Sequence, residues 1–398
     1  MKKSQQKKDH RDIGKELDLF SFRDIAPGSP FWHPAGMIIF KELERRLRAL
    51  LDREYEETST PIMVKKEVFE RSGHWEYYRE NMFSFDVDGE TYVLKPMNCP
   101  ESTYIYKSHV RSWRELPLRL SEIGRLHRNE LSGVVGGLFR VRQITMDDAH
   151  IYCTKAQITD EVVAILRLLD RFYNEIFQFP VTYYLATRPK KALGERGKWD
   201  EAESSLKRAL ETHGVAYKLD EGEGAFYGPK IEVHVEDSLG RDWQMGTIQL
   251  DLFLSRNFDA TYTDEAGKRV HPVVIHRAIF GSFERFIGML LEHTQGALPF
   301  WLSPVQVAVL SVTDAAAEYA KNVSDKLAAS GIRVKKDARN ETINKKIREA
   351  ELQKIPYVLV VGEKEAATGM VSVRERGRGN TGTVLLDDLL KQLTSLRE

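Results

Sequence analysis

Three residues of types that bind metals stand far apart in the chain. Cys99 lies in Lys95-Pro-Met-Asn-Cys-Pro, His150 ends Asp147-Asp-Ala-His, and His276 lies in Val274-Ile-His-Arg. Their separations match no zinc ribbon or zinc finger. If they converged, three protein ligands with an open fourth position would make a substrate-binding zinc, not a structural one. Spacing alone leaves this open.

Two arginines could bind phosphate. Arg128, in Leu126-His-Arg-Asn-Glu, sits where a strand enters a Gly-rich loop, and Glu130 beside it could accept from an exocyclic base amine. A surface Arg–Glu pair is the plainer reading. Arg285 lies in the apolar helical string Gly281-Ser-Phe-Glu-Arg-Phe-Ile-Gly. A guanidinium buried there needs a partner, either a carboxylate or a nucleotide phosphate. From Arg111 to Arg142 there are seven Arg, no Lys and three Glu, which suits planar, bidentate anion recognition. From Arg333 to Arg348 seven Lys or Arg accompany two acids, a run that also fits a solvated face.

The elements that must position these groups follow from periodicity. Apolar residues from Ala35 to Tyr55 recur at helical spacing. Phe83 to Leu94 alternates around Asp88-Gly89, a hairpin signal. Strands are expected at Leu118–Ile123, Phe139–Ile144, Ile231–Val235 and Trp243–Leu254. Helices are expected at Thr154–Phe177, capped by Thr154, at Trp199–His213, stopped by Gly214, and at Gly281–His293. After Pro304 the pattern changes to strand (Val305–Val312), helix (Ala315–Ser330), strand (Ile332–Lys336), helix (Thr342–Lys354), strands (Tyr357–Val361, Met370–Arg374) and helix (Leu385–Leu396), a small mixed α/β unit. The expected organisation is a basic tail over 1–8, a large domain over 9–300 and a small one over 301–398.

Composition bounds the class. The 398 residues are 42% hydrophobic and 30% charged, and 59 Lys+Arg balance 59 Asp+Glu. That balance argues against a nonspecific polycation. No run approaches the length of a membrane span, and the N-terminus has no secretory h-region. Two cysteines fit a reducing cytosol. The larger N-terminal part carries neither G-x-G-x-x-G nor G-x-x-x-x-G-K-[ST], so a nucleotide held there would bind without either phosphate loop.

Taken together, these segments resemble the class II aminoacyl-tRNA synthetases. His127-Arg-Asn-Glu resembles motif 2 and Gly281-Ser-Phe-Glu-Arg-Phe-Ile-Gly motif 3. Phe31-Trp-His-Pro-Ala-Gly, with the following helix and Pro61, resembles motif 1, the dimer element. Gly73-His-Trp, Lys95-Pro-Met-Asn-Cys-Pro, Met146-Asp-Asp-Ala-His-Ile, Gly222-Glu-Gly-Ala-Phe-Tyr-Gly-Pro-Lys, Gly246-Thr-Ile-Gln-Leu-Asp and Ile275-His-Arg-Ala-Ile-Phe-Gly narrow the resemblance to the threonyl-tRNA synthetases. It runs from about residue 9 to the C-terminus.

The resemblance implies an α/β (α+β) fold: an antiparallel sheet flanked by helices, then a small anticodon-binding domain. It implies ATP-dependent ligation of L-threonine to tRNA(Thr) through a threonyl-adenylate, with Mg²⁺. Cys99, His150 and His276 would hold one Zn²⁺ that selects threonine over valine. Arg128 would hold the α-phosphate and Arg285 the γ-phosphate. Glu130 would face the adenine amine, and Arg140 the adenylate phosphate. Met97, Asp148, Tyr227 and Gln249 would line the threonine pocket, with Lys230 beside the adenylate. Glu365 and Arg374 would read anticodon bases. A cytoplasmic homodimer is expected. The match begins so near residue 1 that no editing region for seryl-tRNA is expected in this chain, which points to truncation or to a separate trans-editing protein.

Four departures mark a variant enzyme. Glu101-Ser102 stands where the family has Gly-His, and Met146 stands where it has Gln. Val135-Gly-Gly lacks a histidine before the glycine, and Met245 replaces a frequent cysteine. Three rivals are an RNA-binding paralogue, an amide-forming enzyme using the adenylate, and a synthetase for proline or serine. Arg128, Arg285 and the intact metal set oppose the first, residues 302–398 the second, and Cys99, His150 and His276 the third.

Overall fold

The computed structural model describes residues 7–237 and 239–397. Most of the tail expected at 1–8 therefore lies outside the described residues. The chain forms two compact units. One holds residues 22–30 and 48–289; the other holds the residues up to 21, 31–47 and those from 290 onward. The grouping does not follow a single cut near residue 300.

The first unit is built on an eight-stranded sheet: β1 (Glu56–Glu57), β2 (Leu118–His127), β3 (Gln143–Cys153), β4 (Thr182–Ala186), β5 (Tyr217–Asp220), β6 (Lys230–Glu236), β7 (Asp242–Asp251) and β8 (Val273–Ala278). The order across it is β5-β4-β6-β7-β8-β3-β2-β1. Every pair is antiparallel except the two at the edges, β4 with β5 and β1 with β2. The period-2 pattern of β7 explains its placement. Gly246, Ile248 and Leu250 alternate with Thr247, Gln249 and Asp251. The apolar set is buried, and a Cβ on Gly246 would lie 3.1 Å from Leu169 of the helix Ile158–Asp170. The opposite face carries the polar set.

The expected helix from Thr154 is present in three pieces. Thr154 and Gln157 form a capping box over a 3₁₀ turn, the α-helix Ile158–Asp170 follows, and a π-helix occupies Arg171–Phe177. The hairpin is present as Phe83–Val87 and Glu90–Leu94, with Asp88 and Gly89 both at positive φ, as a two-residue type I′ turn requires. The strand expected at Phe139–Ile144 is a correction. Regular pairing starts only at Gln143. Leu138 and Phe139 are buried because they pack against Gly288, where a Cβ would come within 3.3 Å of both.

The second unit contains a five-stranded sheet: β9 (Val307–Ser311), β10 (Val334–Asp337), β11 (Tyr357–Val361), β12 (Met370–Glu375) and β13 (Gly379–Leu385), in the order β10-β9-β11-β12-β13. Helices Ala317–Ala329, Ile343–Leu352 and Leu386–Ser395 accompany it. Strand β13 was not expected, because Gly379-Asn-Thr-Gly reads as loop. Within this unit Arg333 donates to Glu42 Oε1 (2.8 Å) and to the Trp301 carbonyl (2.6 Å), and His10 pairs with buried Glu292. These bonds tie early segments to late ones. No helix among the described residues is long and apolar enough to cross a membrane.

Candidate active site

The sheet register does the assembling. Lys230 pairs with Gln249, Gln249 with His276, and His276 with His150. Directly opposed residues in antiparallel strands point to the same face. One rung across β6, β7, β8 and β3 therefore presents four polar side chains side by side. Cys99 is added from the first turn of the helix Cys99–Lys107. The donor atoms of Cys99, His150 and His276 lie within 4.8 Å of one another, and all three residues are buried.

This donor set fits a borderline cation. His150 Nε2 and His276 Nδ1 are buried without a hydrogen-bond partner, and an unpaired buried polar atom costs about 1–3 kcal/mol. One thiolate and two imidazoles suit zinc. Burial, with Asp148 and Glu101 nearby, pushes the Cys99 thiol well above its ordinary value. Burial, then the neighbouring His276 and Arg277, push His150 well below its own. A cation would reverse the first effect. The neutral imidazole that results from the second is the ligand form.

A cavity of about 440 Å³ opens on this face. Its walls include Met97, Cys99, Arg128, Glu130, Arg140, Asp148, Tyr227, Lys230, Gln249, His276 and Arg285. His150 is 1% exposed and sits edge to face with His276, ring centroids 5.0 Å apart. Asp148 accepts from Asn98 Nδ2 at 2.9 Å. The Tyr227 hydroxyl donates to Gln249 Oε1, and Gln249 Nε2 donates to Thr247 Oγ1. Burial raises the Tyr227 phenol, so it remains a donor. Lys230 pairs with Glu232 at 2.5 Å.

The other end of the cavity is cationic. Arg285 donates to the carbonyls of Phe139 (3.0 Å) and Gln244 (2.8 Å). Burial, then Arg128 and Arg140, lower its pKa to about 10. Arg128 and Arg140, close enough to perturb Arg285, make this end of the cavity an anion site with it. Arg128 donates to the Pro96 carbonyl at 3.2 Å and lies 5.9 Å from the Tyr78 ring. Arg140 pairs with Glu130 at 2.9 Å, so those two expected nucleotide contacts hold each other.

Glu365 and Arg374 lie in the second unit, not at this cavity. Glu365 accepts from the Gly362 N–H at 2.9 Å. Arg374, on β12, is 3.6 Å from Glu351 and keeps a buried Nε without a partner.

Several contributors escaped the sequence reading. Buried Asp147 pairs with Arg277 and accepts from the N–H groups of Ile279 and Phe280, bracing β3 against the end of β8. Gly281, at φ +75°, brings its carbonyl to the Asp147 N–H (2.9 Å), and a Cβ there would meet the Met245 carbonyl at 2.5 Å. His74 lines the cavity with Nδ1 on Ser72 Oγ, and burial lowers its pKa to about 4. Asn98 and Asp251 resemble turn residues in the sequence; the only signal was their place inside Lys95-Pro-Met-Asn-Cys-Pro and Gly246-Thr-Ile-Gln-Leu-Asp.

Comparison with known proteins agrees with this geometry. Residues 82–294 match the family described as tRNA synthetase class II core domain (G, H, P, S and T), and residues 306–396 match the anticodon binding domain family. The chain is 50% identical over 390 residues to the threonine--tRNA ligase of Carboxydothermus hydrogenoformans, covering 97% of this chain and 61% of that protein. It is 48% identical over 388 residues to that of Clostridium tetani, with the same two coverages. It superposes with a TM-score of 0.94 and 44% identity on the crystal structure of the RNA binding domain of threonyl-tRNA synthetase from Cryptosporidium parvum Iowa II, covering 98% of each chain. The chain belongs to the threonyl-tRNA synthetase family. It spans 61% of the length of the two curated relatives. The fold is the antiparallel class II synthetase sheet with flanking helices, as family membership requires.

Proposed function

We propose that this polypeptide activates L-threonine with ATP and transfers it to tRNA(Thr). One observation carries the reading: the rung Lys230–Gln249–His276–His150 brings a Cys/His/His donor set into the cavity that also holds three arginines. Amino-acid recognition and phosphate recognition then share one space.

Cys99, His150 and His276 would hold zinc, which when bound supplies a Lewis acid that separates a β-hydroxy amino acid from an isostere lacking that oxygen. Asp148 would line the threonine pocket, where a carboxylate suits the substrate amino group. Tyr227 and Gln249, linked to each other, bound the side-chain end, with Met97 as an apolar wall. The threonine carboxylate attacks the α-phosphorus of ATP and displaces pyrophosphate, whose charge a bound Mg²⁺ would help to neutralise. Two anions meet in this step, so positioning and charge neutralisation dominate. Arg128 balances charge at the α-phosphate, Arg285 at the γ-phosphate and Arg140 at the adenylate. Glu130, exchanging Arg140 for the adenine amine, orients the base. Lys230 steadies the adenylate. No general base is needed. In the second step a terminal ribose hydroxyl of tRNA attacks the threonyl carbonyl, AMP departs, and the hydroxyl proton leaves on the AMP phosphate. Glu365 and Arg374 would read anticodon bases, Arg374 being suited to a guanine edge. A homodimer through the motif 1 segment, a reducing cytoplasmic setting and a separate editing partner complete the proposal.

The test is ATP–pyrophosphate exchange with threonine, serine and valine on zinc-loaded and chelated protein. Threonine-dependent, zinc-dependent exchange supports the reading. Exchange that ignores threonine overturns it.

A further inference from the structure

We propose that Asp251 is a positioning residue that fixes the tautomer of His276 and so aims Nδ1 at the metal; the inference rests on the metal site proposed above. Asp251 ends β7, two residues beyond Gln249, and is 2% exposed. Its two oxygens have separate duties. Oδ1 accepts from the N–H groups of Phe253 (2.7 Å) and Leu254 (3.0 Å). Oδ2 lies 3.3 Å from His276 Nε2.

A carboxylate held by two backbone donors cannot turn, and it can only accept. The proton of a neutral His276 must then sit on Nε2. That leaves the Nδ1 lone pair free, and Nδ1 is the buried imidazole atom without a partner. His150 is arranged the other way. Its Nε2 is the unpartnered atom, and the nearest carboxylate, Asp148, is 4.0 Å from it. The two histidines thus present different nitrogens, and only His276 has its choice enforced by a hydrogen bond. Carboxylate partners of this kind orient metal-bound imidazoles and raise their basicity.

Asp251→Asn is a sharp probe because it is isosteric. The amide oxygen will stay on the two backbone donors, which only an acceptor can satisfy. The NH₂ group will then face His276 Nε2. A donor there favours Nε2 as acceptor and moves the proton to Nδ1, the wrong tautomer for binding. The backbone cap survives, so the fold is retained.

The experiment measures Zn²⁺ affinity of the full chain by competition with a chromophoric chelator, wild type against D251N. The expected loss is roughly 10–100-fold, with unchanged melting of the zinc-free forms. In parallel, ¹⁵N spectra of histidine-labelled, zinc-free wild type, assigned with an H276Q variant, should show His276 protonated on Nε2. Equal affinity in D251N overturns the proposal. So does a wild-type His276 carrying its proton on Nδ1, and this readout decides the matter even if D251N fails to fold. Wild-type protein that takes up no zinc removes the proposed metal site itself, and Asp251's role with it. Zinc-replete wild type with an indifferent D251N removes only the role of Asp251.

Discussion

His150 and His276 face each other as a directly opposed pair on adjacent antiparallel strands, rings edge to face with centroids 5.0 Å apart. The sheet register fixes the backbone positions of both residues, so the proposed metal site is anchored in the sheet. Cys99 stands on a helix start instead. Replacing any of the three with Ala should reduce bound zinc, measured by mass spectrometry, to below one-tenth of wild type by the order of magnitude expected for a lost ligand. Threonine-dependent exchange should fall with it, while ATP still binds through the arginines. Full zinc content in Cys99→Ala would contradict the site.

Arg285 is held by two carbonyls and crowded by two other guanidiniums. Under the proposed function a phosphate would relieve that crowding, and Arg285 would act on the charge that develops as pyrophosphate departs. Arg285→Lys keeps the charge but loses the planar fork. The exchange rate should drop by roughly 10²–10³, with the threonine KM little changed. Near-wild-type turnover would show that Arg285 is structural.

The chemistry of the pocket sets a limit on selectivity. Under the proposed function valine lacks the hydroxyl that the site would recognise, whereas serine lacks only a methyl group. A missing methyl is worth about 1–3 kcal/mol, or roughly 10–200-fold. This polypeptide should therefore reject valine strongly and still form measurable seryl-tRNA in charging assays. Discrimination against serine on the order of 10⁴ or more would refute the account.

Gly124 on β2 has a less visible task. A Cβ there would meet the Asn98 side chain at 2.4 Å, and Asn98 Nδ2 holds Asp148 at 2.9 Å. Gly124→Ala should push Asn98 away and release Asp148. The expected result is a raised KM for threonine and a stability loss of about 1–3 kcal/mol from overpacking. Unchanged KM would separate Asn98 from substrate positioning.

Much of this was legible before any coordinates. Cys99, His150, His276, Arg128 and Arg285 stand in strings that resemble family motifs, and that resemblance, not spacing, singled them out. The strand Tyr357–Val361 was bounded correctly because its apolar run is continuous, as burial on both faces requires. What periodicity could not provide is register. Nothing in the spacing says that Lys230, Gln249, His276 and His150 share a rung. Nor could it separate Phe139, buried by packing in a loop, from a strand residue. Asn98 and Asp251 escaped because a short polar residue at an element's end is ordinarily a cap or turn former. Their second contacts are tertiary.

Glu284 offers a test by pH. It is 1% exposed, and both its oxygens accept from the Thr145 N–H. Burial raises its pKa to about 7 against those bonds. A carboxyl whose folded pKa exceeds its unfolded value binds more protons when folded, so its contribution to stability is lost as pH rises. The window runs from the ordinary value of 4.5 to about 7, and the cost above it is on the order of 3 kcal/mol. Carboxylates with lowered values, such as Asp337 beside Arg339, act in the opposite sense, so the total curve hides the effect. The difference between wild type and Glu284→Gln isolates it. In urea unfolding from pH 5 to 9, the variant should gain stability relative to wild type as pH rises and level off above about pH 8. A difference flat across that range would mean that Glu284 is already ionised at low pH, and that the Thr145 N–H and nearby Arg125 outweigh its burial.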